Sequence, residues 1–156
     1  MSNTLTRALR LPDSLAVLAG LSCVLLGDWS AHAEATFDPA TAVVKPGWQL
    51  DYQNINPMIK FAPAYGDRGH GAHGTFGRFP PGFSAPWHTH SGAYYAVVIS
   101  GVMTNPFRGE DAAPTMEAGS YWYVPANLEH VTACVSQVPC VFYFYSTQAF
   151  DFNPVP

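Results

Sequence analysis

Gly82-Phe-Ser-Ala-Pro-Trp-His88-Thr-His90-Ser-Gly-Ala-Tyr94 is the stretch on which the fold and the chemistry turn. Alternate residues of an extended chain point to the same face, so His88 and His90 can offer two imidazoles to one point. The segment after it, Tyr94 to Met103, is rich in Tyr, Val and Ile and reads as a strand. Further on, Gly119-Ser-Tyr-Trp-Tyr-Val-Pro125-Ala-Asn-Leu-Glu-His130 brings a third imidazole forty residues after His90, on what reads as a neighbouring strand. Three histidines on adjoining strands make a site with coordination positions left open for water or a ligand.

Outward from these segments the chain reads as short strands divided by turns. The expected strands are Thr75 to Phe79, Tyr94 to Met103, Ser120 to Val124, Glu129 to Val135 and Val141 to Tyr145. Turns are marked by Pro80-Pro81-Gly82, by the polar run Asn105 to Pro114 and by Ser136 to Pro139. No sustained helical period occurs after residue 34. That spacing, with β-branched and aromatic residues and frequent Gly and Pro, indicates an antiparallel sandwich or barrel. Residues 34–66 are expected to form edge strands, such as Trp48 to Tyr52, and wrapping loops. Gly66 to Gly74, with four glycines besides His70 and His73, reads as irregular loop. The tail after Phe152, with two prolines, reads as poorly ordered.

The two motifs together resemble those of the cupin superfamily. Its first motif is Gly, five residues, His-x-His, three or four residues, Glu, six residues, Gly. Gly82, His88, His90 and Gly101 reproduce it, with Tyr94 where the family has Glu. Its second motif is Gly, five residues, Pro-x-Gly, two residues, His, three residues, Asn. Gly119, Pro125 and His130 match, while Asn127 replaces the Gly and Cys134 the Asn. Asn tolerates positive φ better than most residues, so a tight turn at 127 survives the exchange. The resemblance covers roughly residues 70–147 and implies an all-β double-stranded β-helix of the jelly-roll type, with the barrel over 67–150 and a tail over 151–156. It also implies a divalent metal ion on His88, His90 and His130.

The donor set suits Fe(II), Zn, Cu, Ni or Mn, and the likeness to three-histidine cupin oxygenases favours Fe(II). Tyr94 has two readings: an aromatic packed in the barrel, or a phenol facing the metal as a catalytic or substrate-contacting group. Three neutral imidazoles leave the ion's charge uncompensated, so the ligand expected is a small anionic molecule that chelates through two oxygens. An oxygenase acting on such a molecule is one function. A non-catalytic cupin that binds or senses a small ligand or metal is the other. A metal-free isomerase or epimerase is weaker, because it has no use for a histidine triad.

Composition bounds the rest. The chain has 156 residues, one core's worth. Its net charge is −4 and it has no cluster of Lys and Arg, which argues against nucleic acid. Arg7 and Arg10, the apolar run Leu15 to Leu26, and the small-residue sites Ala31-His-Ala33 and Ala33-Glu-Ala35 follow the order of a secretory signal peptide over 1–33. The apolar run is about 18 Å long as helix against about 30 Å of hydrocarbon, too short for a stable anchor. A secreted or periplasmic protein follows from this, with no stable membrane insertion after signal removal. A homodimer is the assembly compatible with it. In an oxidising compartment Cys134 and Cys140, six residues apart across the turn 136–139, are expected to pair.

Overall fold

The computed structural model describes residues 38–110 and 112–156. The expected signal peptide lies outside them. No helix among the described residues is long and apolar enough to cross a membrane. The strands are β1 (Gln53–Asn54), β2 (Lys60–Gly66), β3 (His73–Phe79), β4 (His88–Thr89), β5 (Tyr94–Ser100), β6 (Met103–Thr104), β7 (Tyr121–Val124), β8 (Ala133–Cys134), β9 (Cys140–Ser146) and β10 (Asn153–Pro154). One layer is a six-stranded antiparallel sheet in the order β1-β2-β3-β9-β5-β7. The opposing layer is built from the pairs β10-β4 and β6-β8, tied together by bridges at His88–His130, Phe107–His130, Ser84–Ala133 and Met103–Met116. This is the jelly-roll sandwich expected from the motifs.

Alternation explains which faces pack. Along β5, Tyr94, Ala96 and Val98 point inward, while Tyr95, Val97 and Ile99 remain exposed. Along β9, Phe142 and Phe144 are buried between the layers. Phe144 sits at the centre, with ring centroids 5.2 Å from Phe61 and 4.8 Å from Phe150. Its truncation to Ala would cost roughly 3–5 kcal/mol, the usual penalty for a large buried aromatic. Gly77 lies under the Phe142 ring, where even a Cβ would come within 2.3 Å of the ring carbons.

Several boundaries differ from those read in the sequence. The Trp48 to Tyr52 region is not a strand. Pro46-Gly47 start a single 3-10 turn over Gly47–Gln49, and pairing begins only at Gln53. The long strand expected over Tyr94 to Met103 is two strands in different layers, because Gly101, at φ +81°, turns the chain from β5 into β6. The glycine-rich segment is mostly strand. Gly66 ends β2 and His73 opens β3, leaving a short bend over 67–72 in which the Asp67 carboxylate accepts from the Gly69 amide. The tail is part of the fold: β10 pairs Asn153 with Thr89 and Pro154 with His88. Proline is tolerated there because β10 is an edge strand. The barrel therefore reaches beyond residues 67–150 at both ends.

The disulfide expected between Cys134 and Cys140 is present, joining β8 in one layer to β9 in the other with Cα atoms 5.7 Å apart. Asn127 adopts φ +61°, the left-handed turn its position in the second motif calls for. Its amide donates to the His90 carbonyl at 2.8 Å, fastening the turn 125–128 to the histidine strand.

Candidate metal centre

His88 and His130 face each other on antiparallel backbone and exchange both amide hydrogen bonds, at 3.1 and 3.0 Å. Residues so paired carry their side chains on one face, and His90 joins them two residues on. All three are buried, and their potential ligand atoms lie within 4.8 Å of one another.

Each imidazole is oriented through Nδ1. His88 Nδ1 is 2.8 Å from the Pro86 carbonyl oxygen, His130 Nδ1 is 2.9 Å from that of Leu128, and His90 Nδ1 is 2.5 Å from that of Asp151. A carbonyl only accepts, so each Nδ1 carries the proton and each Nε2 is left with a lone pair. That is the tautomer of a metal-bound histidine, held by the outer partners such ligands require. Burial lowers all three basicities, to about 3 for His90 and about 4 for His130, so the rings are neutral near pH 7. The donor set fits a divalent metal ion.

Tyr94 completes the cluster. It is buried, its hydroxyl lies 3.2 Å from His130 Nε2, and it accepts from the Trp122 indole N–H at 3.2 Å. With one lone pair engaged by Trp122, its own proton points to His130. Burial pushes the phenol up to about 12, so it is protonated and uncharged across the physiological range. The two readings of Tyr94 merge: it packs in the barrel and its hydroxyl faces the histidines.

The site has a wall that sequence reasoning missed. Phe150 stacks on His90 with centroids 4.0 Å apart, and Phe152 on His88 at 4.4 Å. Between them the Asp151 carboxylate accepts from the Ser91 amide and hydroxyl. Burial works against its charge, yet the hydrogen bonds from Ser91 and Asn153 hold it down at about 2. The segment 150–155 is thus a strap clamped across the histidines. The spacing Phe150-x-Phe152, alternate like His88-x-His90, was the one signal in the sequence that could have pointed to it.

The cavity behind the strap has a volume of about 60 Å³. Its floor and sides include Phe61, Phe79, Phe142 and Phe144, with His88, His90, Tyr94 and Thr132 as the polar groups and neither Lys nor Arg. Phe142 and Phe144 thus serve core and pocket wall together. Trp122 is buried beside Tyr94, whereas Tyr121 and Tyr123 face outward and Trp87 lies under the Arg108 guanidinium. His70 and His73 are not part of the cluster. His70 is exposed on the bend beside Asp67. His73, expected in a loop, is fully buried in β3, with Nδ1 3.0 Å from the Thr75 hydroxyl and its ring edge-on to Phe144 and Phe150.

A two-layer jelly roll with three converging histidines on its opposing sheet defines a cupin of the three-histidine type. The cupin-domain family profile matches residues 75–146, and the chain belongs to the cupin superfamily. No curated protein sequence matches it. Among solved structures it is similar to the polyketide cyclase RemF from Streptomyces resistomycificus, at 13% identity over 74% of this chain and 87% of that one, with a TM-score of 0.64. KdgF from Halomonas sp. is 17% identical over 67% of this chain and 94% of that one, with a TM-score of 0.56. An RmlC-like cupin from Shewanella frigidimarina is 17% identical over 69% and 92%, with a TM-score of 0.55. At such identities the likeness is one of fold.

Proposed function

We propose that the protein is an exported metal-dependent cupin oxygenase acting on a small, largely apolar molecule that presents a pair of anionic oxygens. The observation that carries this reading is the pairing of three neutral Nε2 donors with a cavity that has aromatic walls and no basic residue. A dicarboxylate or phosphate would need Arg or Lys to neutralise its second charge. A monoanionic chelator, such as an enolate or a catecholate, needs only the ion. The ion itself would supply Lewis acidity and, if Fe(II), the variable valence that dioxygen chemistry requires.

The chain's own residues divide the remaining work. His88, His90 and His130 hold the ion without adding charge, which leaves it electrophilic. Tyr94 keeps a proton on its hydroxyl beside His130 and can donate it to a ligand oxygen once Nε2 is engaged. Phe150 and Phe152 keep water from the histidines and pack the apolar body of the ligand. Export is supported by the order of charge, apolar run and small residues over 1–35.

The test is to load the protein with Fe(II) and follow oxygen uptake with β-dicarbonyls, catechols and α-ketoacids, while recording visible spectra for ligation. Oxygen consumption with at least one member of the panel is the expected result. Ligation without oxygen uptake under any of Fe, Cu, Ni, Mn or Zn would replace the oxygenase with a binding protein.

A further inference from the structure

The outer face of the six-stranded sheet points away from the metal centre, and its exposed positions on three strands are nearly all tyrosine. Cross-strand register puts Tyr145, Tyr95 and Tyr123 in one row, and Tyr143, Val97 and Tyr121 in the next. Tyr95, Val97, Tyr121 and Tyr123 are 46%, 39%, 58% and 40% exposed, far more than such side chains need for folding. None of the six positions carries a charge, on a chain whose net charge is −4. Beside this face runs the segment 41–50, whose Val43 and Leu50 lie against Phe76 and whose Trp48 is 82% exposed.

We propose that this face is the interface of a homodimer, with two sheets packed face to face and Trp48 of each copy flanking the contact. Three observations select a second copy over other occupants. First, the face is uncharged, so it can meet itself without the like-charge cost that two acidic molecules would otherwise incur. Second, aromatic side chains offer about 150–250 Å² each, so the exposed parts of this face hold roughly 600 Å² per copy. That gives roughly 1,200 Å² in total, the lower bound of a stable interface before Trp48 is added.

Third, the rings stand against one another. Tyr95 is 4.7 Å from Tyr123 at 31° and 6.4 Å from Tyr121 at 28°. Their faces are spent on each other, and their edges and hydroxyls point outward. A sugar platform would need ring faces turned to solvent, whereas edges with phenolic hydroxyls suit a protein surface, where tyrosine is enriched. The contact is isologous, so any charge placed on the face meets its own copy across the two-fold axis.

The experiment is sedimentation velocity, at micromolar concentration, on the protein as its native cells produce it and on Val97→Lys, Tyr121→Lys and Val135→Lys. Val135 is also exposed but follows β8 in the opposing layer. The native protein should sediment as a dimer. Each of Val97→Lys and Tyr121→Lys should weaken the dimer by at least tenfold with far-UV circular dichroism and metal content unchanged, and Val135→Lys should leave it intact. A monomeric native protein overturns the proposal, as does a dimer that survives both face substitutions or is lost equally in Val135→Lys. A monomer that binds polysaccharide would assign the face to glycan instead.

Discussion

The Asp151 carbonyl oxygen accepts from Nδ1 of His90 at 2.5 Å, across sixty-one residues of chain. The corresponding partners of His88 and His130 lie only two residues away, at Pro86 and Leu128. Ending the chain at Ala149 removes the distant partner, the two stacked phenylalanines and the clamp on Ser91. Metal affinity should fall by about 10–100-fold, the range for loss of a ligand's outer partner. Competition against a chromophoric chelator measures it. An unchanged affinity would show that the strap does not orient His90.

Replacing His88, His90 or His130 with Ala should lower affinity further, by well over tenfold in each case, because a donor is lost outright rather than misaligned. His70→Ala and His73→Ala should keep full metal content by elemental analysis. His73→Ala should nevertheless melt earlier, since it empties a buried site against Phe144.

Tyr94→Phe preserves the ring and removes the hydroxyl. Metal content should persist, and turnover on any substrate found should fall by about 10²–10⁴-fold if the phenol transfers a proton. Stability should fall by about 1–3 kcal/mol, because the buried Trp122 indole N–H loses its acceptor. Turnover equal to that of the unaltered protein would reduce Tyr94 to a packing residue.

His73 also sets a pH dependence. Burial, aided by the Arg68 guanidinium, lowers it to about 4 from an ordinary 6.5. Between those values the unfolded chain holds a proton that the folded one does not. The stabilisation is therefore complete above pH 6.5, declines as the pH falls towards 4 and is constant below. The slope reaches about 1.4 kcal/mol per pH unit. In the metal-free protein, urea midpoints across this window should show about one proton fewer taken up on unfolding for His73→Gln than for the unaltered chain.

A thiol count joins the disulfide to export. Denatured protein from native cells should contain no free thiol if Cys134 and Cys140 are bonded and the leader carrying Cys23 has been removed. One free thiol would mean that the leader is retained, and intact mass would then begin near Met1.

The histidine cluster was legible because it rests on short-range geometry. A period of two puts His88 and His90 on one face, and motif spacing puts His130 opposite. The positive φ of Asn127 and the cysteine pairing were legible for the same reason. The misreadings share a cause of the opposite kind. Gly74 and Gly77 made β3 look like loop, yet they are glycine because the Tyr143 and Phe142 rings fill the space their side chains would take. Pro154 read as a breaker, although an edge strand tolerates a missing donor. Contacts set by partners distant in sequence leave no periodic trace in the segment that makes them.

The asymmetry among the three histidines has a consequence for biogenesis. As the chain emerges, the carbonyl partners of His88 and His130 arrive together with their rings, while His90 waits for a residue made sixty-one positions later. A nascent or clipped chain lacking the strap holds two oriented donors and one that swings freely, a weak and unselective trap for any passing ion. The finished strap converts that trap into a three-donor site. Metal acquisition is thereby timed to the end of folding, after the cell has had its chance to present the intended ion.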